Sequence, residues 1–173
     1  EPPKPTNLTP LASIDPTLRF DIRYATTNNF MGKQIYEQPG AFLQLSAAQA
    51  VGRIHRKLQQ QGFGLLIHDA YRPWYVTKMF WDATPEANRM FVADPSKGSR
   101  HNRGAAVDLT LFDLATGKPI VTTGRYDVLV ELVATSDDDL LDLVIGVADG
   151  VGAGVARDRR ALDADTLGGD GDG

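Results

Sequence analysis

The residues best placed to do chemistry lie in one run, Ser99-Arg100-His101-Asn102-Arg103-Gly104-Ala105-Ala106-Val107-Asp108-Leu109-Thr110-Leu111. From Ala106 onward apolar and polar residues alternate, so Val107, Leu109 and Leu111 face one side of a strand and Ala106, Asp108 and Thr110 the other. A histidine in the preceding loop and an aspartate on that polar face can aim a ring nitrogen and a carboxylate oxygen at one point, as zinc with bonds of ~2.0–2.2 Å requires. Gly104 would let the loop turn tightly. The plainer reading makes His101 a surface histidine and Asp108 a sheet-edge carboxylate bonded to a loop. The chain has no cysteine, which excludes disulfides, thiolate catalysis and Cys-based zinc sites. Metal ligands must then come from Asp, Glu, water and three histidines, His55, His68 and His101.

Upstream stands Asp69-Ala70-Tyr71-Arg72-Pro73, and near the start Arg23-Tyr24-Ala25-Thr26 with Asn29-Phe30 and Gly32. Together with S-x-H-x-x-G-x-A-x-D-L-T-L, these segments resemble the D-alanyl-D-alanine dipeptidases, the group that includes the vancomycin-resistance enzyme. The resemblance runs from about Leu18 to about Asp127. It implies a zinc metallopeptidase that cleaves a small D,D-dipeptide in cell-wall precursor metabolism. It also implies His101 and Asp108 as two of three zinc ligands, and Arg72 as the group that steadies the negative oxygen of the tetrahedral intermediate. Tyr24 and Ser99 would line the substrate pocket. Asp127, in Gly124-Arg125-Tyr126-Asp127, would hold the substrate's free amino group. Each has a plainer counterpart: Arg72 pairing with Asp69, a strand tyrosine in the core, a solvated charge in an Asp-rich tail. His68 is expected to hydrogen-bond beside the site without holding metal. His55 is expected on the surface of a helix.

In that family a late E-x-x-H motif supplies the general base and the third ligand, and this chain has none: its last histidine is His101 and its last glutamate Glu131. The composition changes in the same region. Residues 1–120 carry 14 Lys and Arg against 10 Asp and Glu, a balance of +4; residues 121–173 carry 4 Arg against 11 Asp and 1 Glu, a balance of −8. The later part is built almost wholly from Val, Leu, Ala, Gly, Asp, Arg and Thr, which marks an atypical or altered segment. Two alternatives to hydrolysis of the dipeptide therefore stand: a domain that binds peptidoglycan fragments without cutting, and a related carboxypeptidase acting on larger cell-wall peptides.

The elements that must position these residues follow from periodicity. Residues 18–25 alternate as a half-buried strand. A helix over 46–61 is capped by Ser46, with Ala47, Val51, Ile54 and Leu58 on one face and Gly62 as its stop. The apolar run 63–67 reads as a strand delivering His68 and Asp69 to a sheet edge, and Pro73 opens a helix over 73–83. Residues 106–111 form the strand of the site, and 116–119 a turn. Segments 128–133 and 140–147 read equally as strand or helix.

The fold expected is α+β, a small antiparallel sheet with helices packed on it, like that of the D-Ala-D-Ala peptidases. Residues 1–127 form the core, 1–17 being an extended segment, and 128–173 an atypical tail, disordered after about 150. The net charge of −4 argues against nucleic acid, and no apolar run approaches the ~20 residues of a membrane span. A soluble protein is expected, periplasmic or otherwise exported from its Pro-rich start, with the cytoplasm as the alternative. Nothing in the sequence sets the oligomeric state.

Overall fold

The structure, a computed structural model, describes residues 8–120, 128–134 and 141–147. Two strands that carry buried core residues make its centre: β4, Phe63–Asp69, and β5, Ala106–Asp113, paired antiparallel. On β5, Val107 and Leu109 are buried and Leu111 packs against the same core, while Asp108 and Thr110 point to the opposite face, as the alternation requires. The sheet has five strands in the order β2-β4-β5-β6-β7, with β2 at Arg19–Phe20, β6 at Val128–Ala134 and β7 at Leu141–Val147. The segments whose pattern left strand and helix open are thus strands, added antiparallel beyond β5. A smaller pair joins β1, Leu8–Pro10, to β3, Phe42–Gln44. The fold is α+β.

Helix α1, Leu45–Gln59, lays Ala47, Ala48 and Val51 against Leu65, Ile67, Val107 and Leu109, and this apolar contact is the core. Helix α2, Trp74–Ala83, buries Val76, Thr77 and Phe80. No helix among the described residues is long and apolar enough to cross a membrane.

Several local expectations need correction. The strand over 18–25 shrinks to Arg19–Phe20, because the chain turns into a 3-10 segment at Arg23–Ala25 after the Asp21 N–H donates to the Ile67 carbonyl. Being parallel to β4, this short strand makes the sheet mixed rather than wholly antiparallel. Ser46 caps nothing. Strand β3 runs straight into α1, whose N-cap is Gln44 with no side-chain cap; the Gln44 N–H and amide donate to the Gly104 and Arg103 carbonyls instead. Pro73 stands at the N-cap of α2 rather than at its first helical position.

His55 departs most from expectation. It is fully buried: its Nδ1 accepts the Leu65 N–H at 3.1 Å, and its Nε2 lies 2.9 Å from Thr17 Oγ1. Since an amide N–H only donates, the ring proton must sit on Nε2 and point to Thr17, whose hydroxyl donates to Asp15 Oδ1. The helix face that amphipathic spacing assigns to solvent is covered here by the 15–17 segment.

The feature that matters most for the site is one irregularity in the β4–β5 ladder. Leu66 faces Thr110 and Ile67 faces Leu109, but then the register shifts, and Asp69 instead of His68 stands opposite Asp108. A bulge of this kind bends the strand and re-aims the side chains around it. Two carboxylates become cross-strand neighbours, an arrangement that is unfavourable unless a cation lies between them.

Candidate active site

That cation is Arg72, held by the turn from β4 into α2. Its Nε donates to Asp69 Oδ2 at 2.8 Å and its Nη2 reaches the same oxygen at 2.7 Å and Asp108 Oδ2 at 3.3 Å. The guanidinium carbon lies 5.5 Å from the Tyr24 ring centroid and 5.1 Å from that of Phe80, two rings that are themselves in contact, so both offer a cation–π contact from one side. Burial disfavours its charge, but Asp69, Tyr24 and Asp108 more than compensate, and the guanidinium is held above its ordinary range. The Asp69 carboxyl is pushed up by burial against the pull of Arg72, and its Oδ1 accepts the Tyr36 hydroxyl at 2.9 Å. Asp69 and Tyr36 are the members of this site that sequence reasoning did not single out. The only prior signal was the D-A-Y-R-P motif, in which Asp69 counted as a plain partner of Arg72.

His101 sits in a 3-10 turn, His101–Arg103, ended by Gly104 at φ +66°. Its Nδ1 lies 2.7 Å from the Ala70 carbonyl, which only accepts, so Nδ1 carries the proton and donates. The other nitrogen, Nε2, lies 3.4 Å from Asp108 Oδ1. In a neutral ring that places lone pair against lone pair, which a cation between them, proton or metal, resolves. Burial opposes a charged ring, yet the facing Asp108 outweighs it and holds His101 above its ordinary value. Burial pushes Asp108 up, but His101 and Arg72 together hold it below its own.

Ser99 is buried, and its Oγ accepts the His101 N–H at 3.2 Å, so its hydroxyl serves the histidine turn. Tyr24 packs edge-on to Phe30 and tilted on Phe80, with centroids 6.5 and 4.8 Å apart; burial, the largest influence, pushes its hydroxyl up. His68 donates from Nδ1 to the Asp21 carbonyl at 3.2 Å and accepts the Thr110 hydroxyl on Nε2 at 2.8 Å; burial keeps it below its ordinary value and hence neutral. Asp127 lies outside the described residues.

Whether a metal fits can be judged from the donors. Ligands of one tetrahedral zinc ion, at bonds of ~2.0–2.1 Å, lie about 3.3–3.4 Å apart. The 3.4 Å between His101 Nε2 and Asp108 Oδ1 matches that edge, and the Ala70 carbonyl orients the imidazole as outer-shell partners of ligating histidines do. Asp69 completes a cluster whose ligand atoms lie within 4.8 Å of one another, the one such group among the described residues. Its two oxygens, however, are already engaged by Tyr36 and Arg72, which makes it the anchor of Arg72 rather than a donor to a metal. The two carboxyl groups, Asp69 and Asp108, outnumber the one fixed cation, Arg72, which favours a further cation at the site.

An α+β fold that sets a His-Asp pair of metal-ligand spacing beside a buried, doubly anchored guanidinium defines a site with room for a metal ion next to a fixed positive charge. Comparison with known proteins gives the particular family. A family model described as D-ala-D-ala dipeptidase matches residues 4–137, and the chain belongs to that family. A D-alanyl-D-alanine dipeptidase of Escherichia coli K12 is 41% identical over 108 residues, 62% of this chain and 55% of that protein. One from Streptomyces coelicolor is 34% identical over 130 residues, covering 65% and 64% of the two chains, and one from Enterococcus faecalis is 30% identical over 166 residues, covering 84% and 75%. The chain thus spans between about half and two-thirds of the length of the first two relatives.

Proposed function

We propose that the site serves metal-assisted hydrolysis of the D-alanyl-D-alanine dipeptide, with zinc held by His101 and Asp108. The single observation that carries this reading is the pair itself: an imidazole nitrogen and a carboxylate oxygen 3.4 Å apart, with Arg72 against the far oxygen of the same carboxylate. Zinc held there would supply a Lewis acid for the amide carbonyl. Arg72, fixed by Asp69, presents fixed positive charge where the carbonyl oxygen becomes negative, and needs no reorganisation to do so. Tyr24 and Phe80 set their rings beside the guanidinium. Asp127 is assigned the substrate's ammonium on the family resemblance.

A second reading, binding of the dipeptide or of a peptidoglycan fragment without cleavage, is favoured by one observation: no E-x-x-H follows Asp108, so no carboxylate is identified to take the proton from water. A third keeps the chemistry but takes longer cell-wall peptides. Metal analysis of freshly purified protein and of His101→Ala, together with alanine release from D-Ala-D-Ala, tests the proposal. Stoichiometric zinc lost on substitution supports the site, and unchanged zinc content in His101→Ala would sink it. Dipeptide binding by calorimetry without alanine release selects the second reading, and release only from longer peptides the third.

A further inference from the structure

The histidine turn and the arginine turn come from segments some thirty residues apart in sequence, and what fastens them is an asparagine at a position the S-x-H-x-x-G motif leaves open. Asn102 Oδ1 accepts the Ser99 N–H at 2.8 Å; its Nδ2 donates to the Arg72 carbonyl and to Thr77 Oγ1, both at 2.8 Å. The partners fix the orientation of the amide, because the Arg72 carbonyl only accepts and the Ser99 N–H only donates. In the other direction the Arg72 N–H donates to the His101 carbonyl at 3.1 Å. Both backbone groups of Arg72 are thus spent on residues 101 and 102, and the His101 ring adds a third tie to the Ala70 carbonyl.

We propose that Asn102 is a positioning residue that sets the place of His101 relative to Arg72, and so tunes metal affinity without touching the metal. The inference rests on the zinc reading for its effect on affinity, while its geometric part stands without it. Thr77, buried on α2, carries the clamp into the helix that also holds Phe80. The effect is therefore on how the two turns dock, not on the sheet beneath them.

The experiment uses the full chain and two variants, Asn102→Ala and the isosteric Asn102→Asp, which keeps the acceptor for Ser99 but turns an oxygen toward the Arg72 carbonyl. Zinc affinity is measured by competition with a chromophoric chelator, and amide hydrogen exchange is followed at Arg72 and, as internal reference, at Leu65 and Leu109. Both variants should bind zinc about tenfold more weakly, as expected when outer-shell support is lost. The Arg72 amide should exchange about tenfold or more faster, with the reference amides unchanged. Val51→Ala, a core truncation on α1 at a residue that takes no part in the clamp, should lower the melting temperature and leave zinc affinity alone. If Asn102→Ala does not fold, Asn102→Asp decides. Should the parent chain bind no zinc, the metal reading fails by itself and the exchange at Arg72 decides the clamp. Wild-type exchange at Arg72 in a folded variant, or an equal loss of zinc in Val51→Ala, overturns the proposal.

Discussion

Replacing Arg72 by lysine separates the two jobs the structure gives it. The guanidinium makes two close contacts to Asp69 Oδ2, at 2.7 and 2.8 Å, and a third to Asp108 Oδ2 at 3.3 Å. A single ammonium on a flexible stem can keep the Asp69 contact but cannot reproduce the planar fork that spans both carboxylates. The loss is then about one charge-assisted hydrogen bond, roughly 1.5–3 kcal/mol. For a chain of this size, at ~2–4 °C per kcal/mol, that lowers Tm by about 3–12 °C. Arg72→Ala, which leaves the buried Asp69 with no countercharge, should cost more, about 3–5 kcal/mol. If Arg72 meets the developing oxyanion, lysine should also reduce kcat by about 10²–10³ with KM little changed, measured as alanine release at saturating zinc in a chimera whose segment after Asp127 carries an aromatic-rich E-x-x-H motif. A Tm within a degree or so of the parent would show that the carboxylate pair does not depend on the fork. Parental turnover would remove Arg72 from the chemistry.

Three further outcomes are expected. His55→Leu strands the buried Leu65 N–H and should cost roughly 1–3 kcal/mol by denaturant melts. Burial holds His55 below its ordinary value of about 6.5, so the unfolded chain takes up its proton first; parental stability should fall as pH drops below ~6.5, and the leucine variant should lose that part of the slope. An identical pH slope in both would show that His55 is not the group responsible. Gly104→Ala puts a Cβ at positive φ, 2.9 Å from Leu8 Cδ2 and 3.2 Å from the Gln44 nitrogen, and should destabilise by about 1–2 kcal/mol or more and weaken zinc binding, a parental melt being the contrary result. Finally, the chain, lacking E-x-x-H, should release alanine weakly or not at all even with excess zinc, and a chimera with an aromatic-rich E-x-x-H segment after Asp127 should restore it. Turnover at ordinary rates of ~1–10³ s⁻¹ by the unmodified chain would mean that Glu131 or an aspartate of the tail serves as base.

Local pattern decided a good deal of this protein. Alternation along 106–111 made β5 and put Asp108 on its polar face; the apolar run 63–67 made β4; helical spacing and Gly62 bounded α1; and the absence of cysteine with three histidines narrowed the metal donors. These features are legible because they depend on periods of two and 3.6 residues within one segment. What tertiary structure alone decided depends on where segments meet. Period-two reasoning cannot foresee the slip between Ile67 and Asp69, yet that slip sets Asp69 across from Asp108 and creates the need that Arg72 fills. Nor could it bury His55, because the face of a helix that looks solvated becomes core once residues 15–17 cross it, and the side chain is then committed to the Leu65 amide. Asn102 reads as an ordinary loop residue until the Arg72 carbonyl and Thr77, from another part of the chain, are brought within 2.8 Å of its amide. A hydrogen bond between distant segments leaves no trace in the spacing of either, since each partner satisfies its own local pattern equally well without the other.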